Sequence, residues 1–159
     1  MNNLSKEIDN LIKEELTLIN QKINGVVLLE ILKYKILDKL KSNNVNFSFD
    51  NDEKIIETNI DDNIRSLGVK IIYSKSPVIN LNYEVVSDLL LLCINEVLNI
   101  NIHNNEVVKN FSYKCLPMTG LVISKGSKCS LNYGKNSIVF EISFKDKILD
   151  IEKFKEATI

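Results

Sequence analysis

Few side chains in this chain are equipped for covalent or metal chemistry. His103 is the only histidine, and the cysteines are Cys93, Cys115 and Cys129. A thiol–imidazole pair for nucleophilic catalysis needs that one histidine as its base, most simply with Cys115. A Ser–His–Asp arrangement depends on His103 in the same way. His103 sits in the polar stretch Ile100–Asn105, where a solvent-exposed loop histidine is the simpler account. A zinc site would need all three cysteines and His103 to converge from four elements, and no Cys-x-x-Cys spacing is present. The cysteines read instead as small buried hydrophobes. No catalytic residue, cofactor-binding residue or metal ligand is therefore expected.

Two glycines, Gly120 and Gly126, stand near Ser127 and lysines. Their spacing is not that of a phosphate loop, which needs Gly-x-x-x-x-Gly-Lys-Ser/Thr between a strand and a helix. Lys125-Gly126-Ser127 is expected as a turn between strands.

Charge is separated along the chain. Asp50, Asp52, Glu53, Glu57, Asp61 and Asp62 fall within 13 residues against the single Lys54, a net −5. A calcium loop would need a glycine there, and none is present. From Val107 to Phe140 stand Lys109, Lys114, Lys125, Lys128 and Lys135 with no acid, a net +5, interleaved with Phe111, Tyr113 and Tyr133. Nucleic-acid contact by such a surface would be electrostatic. It is disfavoured here because the whole chain is net −1 and has one arginine, Arg65. Lysines on strand edges also discourage aggregation. The candidate interaction residues are thus Asp50, Asp52, Glu53, Asp61 and Asp62 on one side and the five lysines on the other. If the two groups lie on different faces, copies would pair head to tail, and such contacts close into rings.

The elements that must position these groups follow from periodicity. Leu4, Ile8, Leu11, Ile12, Leu16, Ile19 and Ile23 recur at helical spacing, and so do Val26, Leu29, Leu32, Ile36, Leu37 and Leu40. Asn24-Gly25 favours a break between them. Val45, Phe47 and Phe49 alternate as a strand, Lys54–Thr58 returns beside it, and Val69–Tyr73 is a further strand closed by Ser76-Pro77. Tyr83–Asn99 reads as a buried helix capped by Asn82, with Glu84, Ser87, Asp88, Asn95 and Glu96 as its narrow wet stripe. Beyond it the period is two: Ile100 and Ile102; Phe111, Tyr113 and Cys115; Cys129, Leu131 and Tyr133; Ile138, Phe140, Ile142 and Phe144. Gly134-Lys135-Asn136 is expected to join the last two runs as a hairpin, and Ile151–Glu156 to form a terminal helix. The expected fold class is α+β, two-layer: an N-terminal helical hairpin, then a mostly antiparallel sheet packed against one buried helix. It is one domain over 1–159, with 1–43 as helical arm and 44–159 as body.

The chain has 159 residues, 45% hydrophobic and 26% charged, enough for a self-sufficient core. It has 22 Ile, 21 Asn and 19 Lys against one Ala, the mark of an AT-rich coding sequence. No signal-peptide core follows the N-terminus, and the apolar runs are too short to span a bilayer. A cytoplasmic location, or a particle assembled in the cytoplasm, is expected, with the thiols reduced.

The element order resembles that of small neck and tail-end subunits of tailed phages and phage-tail-like particles, the tail-terminator and tail-completion proteins. The matching stretches are Lys35–Leu40, Val45–Phe49, Val69–Tyr73, Val85–Asn99 and Cys129–Phe144, with Leu4–Ile23 as an added contact arm. The resemblance implies a non-enzymatic, ring-forming assembly subunit. Its partners would be protein subunits, copies of itself or other particle components, and neither a membrane nor nucleic acid. Two other classes stay open. One is an immunity or antitoxin-type protein that neutralises one target through the acidic segment. The other is a small-ligand binder or enzyme, which needs a concave pocket with convergent polar groups.

Overall fold

Asn24 separates the two helical patterns. Its Oδ1 accepts the backbone N–H of Val26 (2.9 Å) and its carbonyl accepts that of Leu28 (3.0 Å), the geometry of an N-cap. The computed structural model describes residues 3–19, 23–42, 55–62, 65–104 and 109–145, and begins with α1 (Asn3–Leu18) and α2 (Gly25–Ser42). The break falls at the Asn-Gly pair, as expected. α1 buries Ile8, Leu11, Ile12 and Leu16, and α2 buries Leu28, Leu29, Leu32, Ile36, Leu37 and Leu40. Arg65 closes the end of α1 by donating to the carbonyls of Leu16 (2.8 Å) and Ile19, where helix carbonyls lack partners.

The remaining elements are strands: β1 (Ile55–Asp61), β2 (Ser66–Ser74), β3 (Val78–Glu84), β4 (Leu89–Cys93), β5 (Leu98–Asn104), β6 (Lys109–Cys115), β7 (Thr119–Ile123), β8 (Lys128–Tyr133) and β9 (Ser137–Phe144). They form two antiparallel sheets, five-stranded in the order β1-β2-β9-β4-β7 and four-stranded in the order β3-β8-β5-β6. One core lies between the sheets, around Leu89, Leu91, Cys93, Ile100, Leu131 and Val139. A second lies between the five-stranded sheet and the helices, around Leu32, Ile36, Val69, Leu90, Leu92 and Phe140.

The architecture is therefore a double-sheet sandwich with helices on one outer face, and not the expected two-layer α+β fold. The decisive difference is 83–99. That stretch holds the end of β3, all of β4 and the start of β5. Leu90 and Leu92 face the helices while Leu89, Leu91 and Cys93 face the other sheet, so all of β4 is buried. A strand covered on both faces shows a continuous apolar run with no alternation. Of the polar residues that imitate a wet helical stripe, Glu84 ends β3, and Ser87, Asp88, Asn95 and Glu96 lie in the connections on either side of β4. Asp88 accepts the backbone N–H of Lys125 (2.9 Å), and Asn95 accepts that of Ile138 (2.8 Å) while donating to Asn136 O (2.7 Å).

A second correction concerns Gly134-Lys135-Asn136. It joins β8 to β9, but these lie in different sheets, so it is an arch across the sandwich and not a hairpin. The strands expected from alternation at Ile100–Ile102, Phe111–Cys115, Cys129–Tyr133 and Ile138–Phe144 are present, as is the turn at Lys125-Gly126-Ser127. The expected strand Val45–Phe49 and helix Ile151–Glu156 lie outside the described residues. No described helix is long and apolar enough to cross a membrane.

Candidate functional site

The register of the five-stranded sheet aligns Glu57 on β1, Lys70 on β2 and Glu141 on β9 in one row. Along β9, Ile138, Phe140 and Ile142 face the helices, so Val139 and Glu141 face the other sheet. Glu141 is a carboxyl only 5% exposed. Two tyrosines reach it from the four-stranded sheet. Tyr133 on β8 donates its hydroxyl to Oε1 at 2.8 Å, and Tyr83 on β3 approaches Oε2 at 3.5 Å. A buried carboxyl thus ties one sheet to the other.

A β-bulge aims Tyr83. Val78 and Asn80 of β3 oppose Tyr133 and Leu131 of β8, but after the register shift it is Tyr83 that opposes Cys129. Three steps on β3 match two on β8, so Tyr83 stands opposite Cys129, a residue of the core between the sheets. Re-aiming a side chain beside a cavity is a recurrent use of such bulges.

The five-stranded sheet has one strand more than the sheet opposite, and a cavity of about 400 Å³ opens where β1, β2 and β9 face β3 and the segment after it. Glu57, Lys70, Glu141, Ser143, Tyr83 and Val86 are among its lining residues. Gly68 contributes to the floor, and a Cβ there would meet the Lys145 stem at 2.7 Å. Lys70 pairs with Glu57 at 3.4 Å.

Burial raises the Glu141 carboxyl above its ordinary range, opposed by the Tyr133 hydroxyl, the Lys70 ammonium and the Tyr83 hydroxyl. Burial, followed by the neighbouring Glu141, raises both Tyr133 and Tyr83, so both are held as phenols that donate hydrogen bonds. The site therefore combines a buried acid whose proton affinity burial raises with three groups placed to stabilise its carboxylate.

The sequence-derived candidates are placed elsewhere. Asp50, Asp52 and Glu53 lie outside the described residues. Asp61 accepts the Ser66 hydroxyl, and Asp62 holds Arg65 through the backbone N–H, Nε (3.0 Å) and Nη2 (2.9 Å). Lys114 and Lys128 are exposed, Lys109 begins β6, and Lys125 and Lys135 stand in turns at opposite ends of β8. The five lysines thus belong to several strands and turns. His103 lies 3.2 Å from Ser130, whereas Cys115, Cys129 and Cys93 are buried between the sheets. Among the described residues no three His, Cys, Asp or Glu side chains cluster to hold a metal ion.

Of the residues that do converge, Glu141, Tyr83 and Lys70 were not singled out as site residues by the sequence, and Glu57 and Tyr133 stood out only as members of the acidic segment and the basic stretch. The available signal was Glu141 itself, a lone acid in the apolar run Ser137–Phe144. In a strand with one wet face it would be a solvated residue; here both faces are covered.

No protein-family model matches the chain, and no curated protein matches it. Solved structures do. A mutant of the Bacillus subtilis oxalate decarboxylase is 11% identical, with a TM-score of 0.50 over 67% of this chain and 28% of its own. A cupin superfamily protein from Desulfitobacterium hafniense is 13% identical over 64% of this chain and 84% of its own, with a TM-score of 0.45. A recombinant oxalate oxidase solved with glycolate is 15% identical over 63% of this chain and 54% of its own, with a TM-score of 0.44. This chain spans little more than a quarter of the decarboxylase. At such identities the likeness concerns the fold, a cupin-type double sheet, a jelly-roll arrangement. It overturns the resemblance to phage tail terminators, which rested on an element order with a buried helix at 83–99, and with it the expectation of a non-enzymatic assembly subunit drawn from that resemblance.

Proposed function

We propose that the protein admits a small polar molecule to the cavity beside Glu141 and exchanges a proton with it. The observation that carries this reading is Glu141: a buried, raised carboxyl, held across the sandwich by Tyr133 and lining an open cavity. A general acid works best when its proton affinity lies nearer the working pH than that of a free carboxyl. Once Glu141 has given its proton to the ligand, the Tyr133 and Tyr83 hydroxyls and the Lys70 ammonium stabilise the carboxylate that remains. Ser143 and Tyr83 supply hydrogen bonds that orient the ligand, and Val86 provides apolar contact.

The test is a thermal-shift screen of hydroxy, keto and carboxy compounds small enough for the cavity, on the wild type and on Glu141→Gln. Compounds that stabilise the wild type should lose that effect in Glu141→Gln and weaken in Lys70→Met. Where one of them turns over, Glu141→Gln should slow it about 100-fold or more. Equal stabilisation of wild type and Glu141→Gln by every compound that binds would sink the reading.

A further inference from the structure

The row Glu57–Lys70–Glu141 places one ammonium between two carboxyl groups. Glu57 pairs with Lys70 across β1 and β2, and Lys70 pairs with Glu141 across β2 and β9. Directly paired residues of antiparallel strands point to the same face, with Cβ atoms about 4.5–5.5 Å apart. The Lys70 side chain can therefore reach either neighbour. It closes on the outer one: Nζ lies 3.4 Å from Glu57 Oε1, with Lys70 half-buried and Glu57 exposed. The oxygens of buried Glu141 are drawn the other way, toward Tyr133 and Tyr83 of the opposite sheet. All three members of the row line the cavity. An exposed ion pair of this kind adds little to stability. Its consequence is where it leaves the Lys70 charge.

We propose that Glu57 is a positioning residue for Glu141: by holding the Lys70 ammonium at the outer end of the row, it strengthens proton binding by the buried acid. This rests on the reading of Glu141 as the group that exchanges a proton with the ligand, and it adds what regulates that group. Without the Glu57 carboxylate, Lys70 turns to its other cross-strand neighbour, and an ammonium beside a carboxylate favours the charged form. The balance at Glu141 agrees in sign. Burial raises it first of all; Tyr133, Lys70 and Tyr83 oppose the rise, and the Glu57 charge adds to it. The other groups that face Glu141 keep their places: Tyr133 and Cys129 on β8, Tyr83 on β3, and apolar Leu91 paired with it on β4. Lys145, just past β9, lines the same cavity. Glu57 could act by its own charge or through Lys70; the geometry of the pair assigns the larger part to Lys70, because the ammonium stands between the two carboxyl groups.

The experiment follows the Glu141 side-chain carboxyl carbon by NMR against pH, in the ligand-free full chain with isotope-labelled glutamate. The resonance is assigned by its loss in Glu141→Gln. In Glu57→Gln the proton affinity of Glu141 should fall about threefold to tenfold, and in Lys70→Met it should rise. In the Lys70→Met background, Glu57→Gln should change it by less than about twofold, since no ammonium is left to release. An unchanged Glu141 midpoint in Glu57→Gln overturns the proposal. So does an equal shift with and without Lys70, which would mean that Glu57 acts by its charge alone. A merely structural role for Glu57 would move the thermal midpoint of unfolding and not the titration of Glu141. The titration is read without ligand, so it is independent of the thermal-shift screen. A screen in which no compound depends on Glu141 sinks the proposed function, while the role of Glu57 is decided by the titration.

Discussion

The two sheets face the same core but differ in what covers their other side. On β8 burial alternates, with Cys129, Leu131 and Tyr133 inside and Lys128 and Asn132 exposed. On β4 it does not alternate at all. The four-stranded sheet gives its outer positions to half-buried Asn99 and Asn101 and to exposed Ser112, Lys114 and Lys128, with Ser112 donating to Asn101 at 2.7 Å. The five-stranded sheet has no such freedom, since α1 and α2 lie on it. A polar side chain on its central strands must therefore find partners inside the protein or be exposed at a cavity. Glu141 does both, which is why the difference between the sheets leads to the site.

The comparison can be broken where it makes its largest claim. Leu91→Ala and Leu92→Ala face opposite cores, and each should cost about 2–5 kcal/mol in urea unfolding. If either is nearly silent, one face of the five-stranded sheet is not packed as described.

A smaller effect sharpens the account of Glu141. Tyr133→Phe removes the hydroxyl at 2.8 Å and should cost about 1–3 kcal/mol, because a buried carboxyl oxygen loses its donor. Tyr83→Phe, at 3.5 Å, should cost less. Equal costs would mean that the two tyrosines share Glu141 evenly.

The third prediction concerns pH. A carboxyl whose pKa is raised by folding binds its proton more tightly in the native state than in the unfolded one. Between the ordinary value of 4.5 and the raised native value the native state holds more protons, so stability falls as pH rises through that window. Glu141→Gln, which cannot ionise, should show a flatter stability–pH profile there. A wild-type profile no steeper than that of Glu141→Gln would mean that Glu141 is not raised. The smallest effect belongs to the open face. Asn101→Ala, a half-buried side chain of the four-stranded sheet, should stay within about 0.5 kcal/mol by the same urea measurement.

Local patterns were legible wherever one side of an element meets water. The break at Asn24-Gly25, the alternating strands around Ile100, Tyr113 and Leu131, and the turn at Gly126 follow from periodicity and turn chemistry alone. The same rule failed at Leu89–Ile94, since a strand without a wet face has no period to read. It also hid Glu141: the alternation of Ile138, Phe140 and Ile142 marks an inward face and leaves Glu141 to be taken for an outward residue.

What the sequence determined by itself is thus the two N-terminal helices, most strands after Ile100, and the scarcity of imidazole and arginine chemistry. What only the tertiary structure decided is which strands share a sheet, that β8 and β9 part company at Gly134, and that the β3 bulge turns Tyr83 toward a carboxyl 58 residues away. Pairing between distant strands depends on faces that no local window contains. The Glu141 site, assembled from β1, β2, β3, β8 and β9, exists only once those faces have met.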